Sequence, residues 1–174
     1  DIYEMFSAGP ELIPNVIEVK KSKISGRGVF AINEIKKGMV VTLYPVHIIT
    51  KNGVGYYLPK YKKEHFKYTP TIRDKYKYTI DSNCDIYGFP EIIKSPYIGH
   101  IINDSYDNVS ELSNLKNIND VGMTLFKYLL KSKANSNCVF VKSKCKYYVY
   151  VKTTKDIQIG EELLASYGPI YWCK

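Results

Sequence analysis

The chain has 174 residues and a mass of 20.0 kDa, enough for one domain with a real core. With 45% hydrophobic and 24% charged residues and no apolar run near 18 residues, the composition excludes a disordered chain and a membrane-spanning helix. The formal charge of +8 rests on 23 lysines and only two arginines, Arg27 and Arg73. Guanidinium is the better phosphate fork, so direct nucleic-acid binding stays a secondary reading. Lys, Asn, Ile and Tyr together make up 71 residues, an excess that the codons of an AT-rich genome produce without selection for charge.

The charge lies in blocks. Residues 1 to 18 carry −4, 19 to 77 carry +11, 78 to 125 carry −5, 126 to 155 carry +8 and 156 to 174 carry −2. An acidic middle block lining a cleft would attract a cationic substrate. The cysteines Cys84, Cys138, Cys145 and Cys173 form no CxxC pair and have no histidine at metal spacing. Neither a zinc knuckle nor a disulfide framework follows, and free thiols in an intracellular reducing compartment are expected. The sequence starts at Asp1 with no charged-then-apolar leader, so it reads as an excised piece without a visible targeting signal.

In chain order, residues 1 to 15, with Pro10 and Pro14, read as an arm. From Val16 to Tyr44 the β-branched runs VIEVKKSKI, GRGVFA and MVVTLY, broken at Ser25-Gly26 and Lys37-Gly38, predict three short strands. Residues 51 to 77 are rich in Tyr and Lys, and Pro59 and Pro70 argue against a long helix. This stretch reads as a variable insert, helical in short pieces. YKYTID (76 to 81) alternates and predicts a strand, with CDIYGFP as a turn or hairpin. SPYIGHIINDS ends in a polar corner, and residues 103 to 113 are loop-like. VGMTLFKYLLKS (121 to 132) predicts an amphipathic helix with Val121, Leu125, Tyr128 and Leu129 on the inner face and Asp120 as N-cap. NCVFVKSKCKYYVYVKTTKDI predicts a hairpin around Ser143-Lys144, followed by the turn IGEEL and by LLASYGPIYW. The patterning predicts a mostly β domain, a β-rich α+β fold with few and brief helices.

Three segments in this order, SGRGVFA (25 to 31), IGHIINDS (98 to 105) and KDIQIGEELLASYG (155 to 168), resemble the SET-domain family of protein lysine methyltransferases. Ser136-Asn137-Cys138 stands where that family has a Pro-Asn pair. The resemblance spans about 16 to 172 as one SET domain, with variable inserts at about 50–95 and 106–134. It implies several small curved sheets around a threaded C-terminal segment, a pseudoknot that brings the Asn103 corner beside Tyr167. S-adenosyl-L-methionine would bind on one face, and the lysine of a protein substrate would enter from the other. A histone tail or nucleosome is the default target, and the nucleus or cytoplasm the address.

Carried over residue by residue, the resemblance implies that Tyr167 is catalytic, orienting and polarising the reacting amine. Gly26, Arg27, Gly28 and Val29 match the cofactor loop, where the absence of a Cβ lets the backbone approach the methionine moiety, and Arg27 is a candidate partner for its carboxylate. Asn103 matches the asparagine of an Asn-His-Ser corner that contacts the cofactor amine, with Asp104 in place of the usual histidine, where the resemblance implies a largely backbone contact to the adenine ring, so both count as cofactor-binding candidates. His100 sits where many members carry arginine. Trp172 is placed to cover the adenine. Tyr78, Tyr148 and Tyr171 are candidates for a lysine channel, and Ala165 falls where a bulky aromatic often limits how many methyl groups fit. The long stretch from Ser105 to Ser136 is expected to wall the substrate groove. Tyr106 follows the corner where a zinc-ligating cysteine often stands, so no metal is expected. Two other readings remain: a SET-like binding module without turnover, suggested by Asp104, and a basic nucleic-acid-binding domain using Lys60, Lys62, Lys63, Lys67, Lys75 and Lys77.

Overall fold

The computed structural model describes residues 11–52, 54–57, 74–93, 96–117, 119–143 and 148–173. The described chain is mostly strand, arranged in several small sheets with a few short helices, the fold class that the patterning and the resemblance led us to expect. It divides into two compact units. One comprises residues 1–14, 40–101 and 141–151, and the other 15–39, 102–140 and 152–174.

The second unit is built on a four-stranded sheet in the order β1-β2-β11-β8. Strands β1 (Ile17–Lys21) and β2 (Arg27–Ala31) form the first predicted hairpin. Gly26 between them has φ 49°, a left-handed backbone that costs glycine nothing. β11 (Glu162–Ala165) pairs antiparallel with β2, setting Leu163 opposite Val29, and both side chains are fully buried. β8 (Asn103–Asp104) then pairs parallel with β11, with Leu164 opposite Asn103 and Ala165 opposite Asp104. A parallel neighbour needs a long crossover, and the 57 residues between these strands provide it. Helices α1 (Val109–Ser113) and α2 (Val121–Asn135) lie within that crossover, and α3 (Pro169–Trp172) follows β11.

Helix α2 begins as predicted, with the Asp120 side chain accepting the Met123 N–H at 2.8 Å. Its inner face differs from the expectation. Thr124, Tyr128 and Ser132 are buried, whereas Val121 and Leu129 are exposed, as are Met123, Phe126 and Leu130. The i, i+4 row that faces inward is the hydroxyl-bearing one, because the surface it meets is a hydrogen-bonding corner rather than an apolar core. Apolar periodicity therefore placed Tyr128 correctly but not Val121 and Leu129.

The first unit holds the antiparallel sheet β5-β4-β7-β6, made of Val54–Tyr57, Ile48–Lys51, Cys84–Tyr87 and Lys77–Asp81. Lys77–Asp81 is the predicted strand, and Cys84–Tyr87, in the segment read as a turn or hairpin, is the strand that pairs antiparallel with it. The first two correct the helical reading of the stretch 51 to 77 only at Lys51 and Val54–Tyr57, which are strand; residues 58–73 lie outside the described residues. Asn52 closes the β4–β5 hairpin with φ 51°, and Asn52-Gly53 is the dipeptide that a tight hairpin turn favours. β3 (Val40–Leu43), β10 (Val149–Thr153) and β9 (Cys138–Lys142) form a three-stranded sheet in that order. The arm ends in an ordered contact: Leu12 bridges Val40, and the Ile13 N–H donates to the Val40 carbonyl at 3.0 Å. Among the described residues no helix is long and apolar enough to cross a membrane.

Candidate active site

In the second unit, β2, β11 and β8 lie side by side. This brings three of the motif segments together: the glycine hairpin, the Asn103–Asp104 corner and the strand that leads into Tyr167. The Asn103 amide nitrogen donates to the carbonyl oxygens of Ser25 (3.1 Å) and Arg27 (2.9 Å) and to Glu162 Oε1 (2.8 Å). Glu162 Oε2 accepts the Ser22 hydroxyl at 2.9 Å. One buried amide thus ties the backbone of the glycine hairpin to β11. The glycine at position 28 is required here, since a Cβ would lie 2.0 Å from Glu162 Oε1 and 3.2 Å from Asn103 Nδ2. The space over Gly28 is held by these two side chains, a reason for the glycine different from the expected approach of a ligand. Val29, also expected at the cofactor, has a fully buried side chain, so only its main chain is close to the loop.

Glu162 is a residue that the sequence reading missed. The segment IGEEL read only as a turn and singled out neither glutamate. Glu161 is exposed and takes the Gln158 N–H at 2.6 Å, but Glu162 is half-buried. Alternation along a strand sends successive side chains to opposite faces, and this could have separated them. Asn137, in the segment that stands for the Pro-Asn pair, holds β11 on both edges of its amide. Its Nδ2 donates to the Glu162 carbonyl and its Oδ1 accepts the Leu164 N–H, each at 2.8 Å.

Asp104 is 3% exposed and accepts four donors. Oδ1 takes the Tyr106 N–H at 2.9 Å. Oδ2 takes the Tyr128 hydroxyl at 2.8 Å, the Tyr167 N–H at 3.0 Å and the Trp172 indole N–H at 3.2 Å. Two oxygens with about four lone-pair sites can satisfy that set, and the burial of a carboxylate demands it. Burial, with Asp104 alongside, pushes the Tyr128 phenol up to about 12, so it remains a donor. Its single proton goes to Asp104, and its oxygen accepts the Gly168 N–H at 2.9 Å. The stretch from Ser105 to Ser136, expected to wall a groove, thus sends Tyr128 into this corner. Ser132 joins it at 3.1 Å from Ser166 Oγ.

Tyr167 is half-buried, and its hydroxyl donates to the Ile102 carbonyl at 2.6 Å. Its ring lies 4.8 Å from Tyr171, edge-on, and 6.2 Å from Trp172, with planes 14° apart. Tyr171 and Trp172 are thus gathered with the catalytic candidate. Ala165, in register with Asp104, is fully buried.

His100, Tyr78 and Tyr148 belong to the first unit. His100 is 5% exposed, with Nε2 2.8 Å from the Phe89 carbonyl oxygen. It stands in an aromatic cluster with Tyr44, Tyr76 and His47, at ring distances of 6.0 to 6.3 Å. Tyr78 adjoins Tyr44 at 5.5 Å, and burial raises its phenol above the ordinary value. Tyr148 lies 6.3 Å from Tyr150. His100 here packs a core, for which the sequence signal was its position between Gly99 and Ile101. A Cβ at Gly88 would lie 2.6 Å from His100 Cγ. Because that ring is hemmed in, Gly88→Ala is expected to cost on the order of 3 kcal/mol by overpacking. A urea titration checks this, and an unchanged midpoint would mean that the ring is free to move.

Among the described residues no group of three or more His, Cys, Asp or Glu side chains is gathered to hold a metal. Cys84, Cys138 and Cys173 are free thiols. Cys138 is buried, which raises its thiol far above the ordinary range, and it donates to the Leu164 carbonyl at 3.2 Å. Of the lysines grouped as a nucleic-acid patch, Lys60, Lys62, Lys63 and Lys67 lie outside the described residues.

The SET-domain family model matches residues 26–168, most of the chain, and the protein belongs to the SET-domain family of lysine methyltransferases. Among solved structures, it is similar to a Plasmodium falciparum protein provisionally named a histone methyltransferase, with 18% identity and a TM-score of 0.48 over 90% of this chain and 96% of that one. No curated protein sequence is significantly similar.

Proposed function

We propose that this protein transfers a methyl group from S-adenosyl-L-methionine to the side-chain amine of a protein lysine. The observation that carries the reading is the pairing of β2, β11 and β8, which sets the glycine hairpin, the Asn-Asp corner and the strand leading into Tyr167 side by side. The residues present suit the donor. Its ammonium needs acceptors, and the Asn103 amide oxygen and the Glu162 carboxylate supply them beside the carbonyls of Ser25 and Arg27. Arg27 is the cation for its carboxylate, and Trp172 is the aromatic face for its adenine. When bound, the donor supplies a methyl group on a positively charged sulfur.

The chain's own residues do the rest by positioning. The Tyr167 proton is committed to the Ile102 carbonyl, so the phenol oxygen offers lone pairs to an incoming N–H and can aim the amine. It acts as an orienting acceptor and not as a base, since its proton is engaged by the Ile102 carbonyl. A lysine near pKa 10.4 is neutral about once in a thousand molecules at that pH. Removal from water favours the neutral amine that attacks.

A histone tail is the substrate to test first, and with it a nuclear, reducing compartment. The test is a labelled-donor assay on core histones and on a cell extract. Transfer to a lysine supports the reading, whereas donor binding with no transfer to any protein favours the binding module. Glu162→Gln removes one charge beside the ammonium subsite and is expected to raise the donor Kd about 5- to 10-fold, the worth of one charge-assisted hydrogen bond. Calorimetry reads this, and an unchanged Kd would remove Glu162 from the subsite. With Ala165 in place of a bulky residue, we expect products beyond monomethyl-lysine, and mass spectrometry that finds the reaction halted at one methyl would reject this.

A further inference from the structure

Asp104 is buried at the centre of the corner, and three of its four donors converge on one oxygen. Each of the three comes from a different place: the phenol of Tyr128 in α2, the main chain of Tyr167, and the indole of Trp172 in α3. A neutral histidine, the residue usual in the family at this position, has a single acceptor nitrogen and could not take three donors together. The Tyr128 oxygen also accepts the Gly168 N–H, so the residue after Tyr167 is held by the same phenol. Ser166, the residue before it, is held as well, with its Oγ 3.0 Å from the Tyr128 oxygen and 3.1 Å from Ser132 Oγ. Residues 166, 167 and 168 are thus each fixed to Asp104 or to the buried face of α2, and Trp172 is fixed to the same carboxylate four residues on.

We propose that Asp104 and Tyr128 form a positioning pair for the methyl-transfer site, in which the long crossover donates a phenol to a carboxylate so that together they set both the Tyr167 hydroxyl and the Trp172 ring. The inference rests on the functional reading above. On this view the aspartate and the insert are one device. The carboxylate needs the extra donor that α2 brings, because an unpaired buried charge is costly, and α2 needs the carboxylate because its inner face is hydroxyl-bearing. The two side chains act through the geometry of Tyr167 and Trp172, which they hold by hydrogen bonds.

The experiment uses the full chain with Tyr128→Phe, Asp104→Asn and the double variant. Trp172 is the only tryptophan, so its fluorescence reports the indole's environment directly. Loss of the carboxylate partner should shift the emission of folded Asp104→Asn measurably. In transfer assays, kcat is expected to fall about 10-fold for Tyr128→Phe and about 100-fold for Asp104→Asn, the scale of a sub-ångström to ångström misplacement. The donor KM should rise only about 3- to 10-fold, since most donor contacts lie elsewhere. The double variant should be no worse than Asp104→Asn, because both substitutions break one unit. A purely structural role predicts lower melting temperatures with unchanged emission, kcat and KM in the folded protein, and that result overturns the proposal, as does additivity in the double variant. If Asp104→Asn does not fold, Tyr128→Phe, which removes one oxygen, decides alone by its kcat and its emission. If the wild type neither binds the donor nor transfers methyl, the functional reading fails, and the Trp172 emission of the variants still shows whether the pair holds the indole.

Discussion

Replacing Tyr167 with phenylalanine is expected to lower methyl transfer by about 100-fold or more, the usual range for losing a positioned polar group at the reacting atoms, and to leave the donor Kd within about 3-fold. The reason is that the two functions of this residue are separable. Its main-chain N–H holds Asp104 and its ring lies against Tyr171 and Trp172. Phenylalanine keeps both. Only the hydroxyl is lost, and with it the lone pairs that would aim the amine. The Ile102 carbonyl loses its 2.6 Å partner, a cost of about 1 kcal/mol, so a modest drop in melting temperature should accompany the kinetic effect. Labelled-donor kinetics beside calorimetry make the check. An unchanged rate would mean that the chemistry takes place elsewhere.

Asn103→Leu should have the largest combined effect on stability and binding. Leucine fills much of the same volume but leaves two carbonyl oxygens and one Glu162 oxygen without the donor that now serves all three. Unmaking such bonds at a position only 9% exposed costs about 2–4 kcal/mol. The hairpin around Gly26 would also lose its tie to β11, so the donor Kd is expected to rise at least about 10-fold, because the acceptors for its ammonium would no longer be held. Asn103→Asp distinguishes the two effects. It adds a carboxylate beside Glu162, so folding should suffer about as much from like-charge repulsion as from the lost donor. Thermal melts and calorimetry on both variants would show this. Retained affinity in Asn103→Leu would mean that the loop is ordered by other contacts.

Much of the fold could be read in advance because its signals are local. The hairpin β1–β2, the strand β3, the β6–β7 pair, the Asp120 cap and the β9–β10 return all follow from β-branched runs interrupted by turn residues. Where local signals competed, the reading failed. The stretch after Thr50 contains tyrosines and lysines that fit helix or strand equally, and Asn52-Gly53 was overlooked as the deciding turn. In α2, the pattern put Val121, Tyr128 and Leu129 on one face, and of these the protein buries only Tyr128, beside Thr124 and Ser132. Periodicity records which residues differ from their neighbours, but not what chemical surface a partner element presents.

The amino-acid sequence by itself determined the family, through three short motifs and their order, and with it the residues at which chemistry is proposed: the glycine hairpin, Asn103 and Tyr167. Only the tertiary structure decided what those residues rest on. Glu162 over Gly28, Asn137 along β11, and Asp104 joined to Tyr128, Tyr167 and Trp172 are contacts between residues 24 to 134 positions apart. The antiparallel pairing of β11 with β2 and the parallel pairing of β8 with β11 across the long crossover bring them together. A motif is a local pattern that chemistry constrains one residue at a time. A buried carboxylate instead takes its donors from whichever elements the chain's path brings to it.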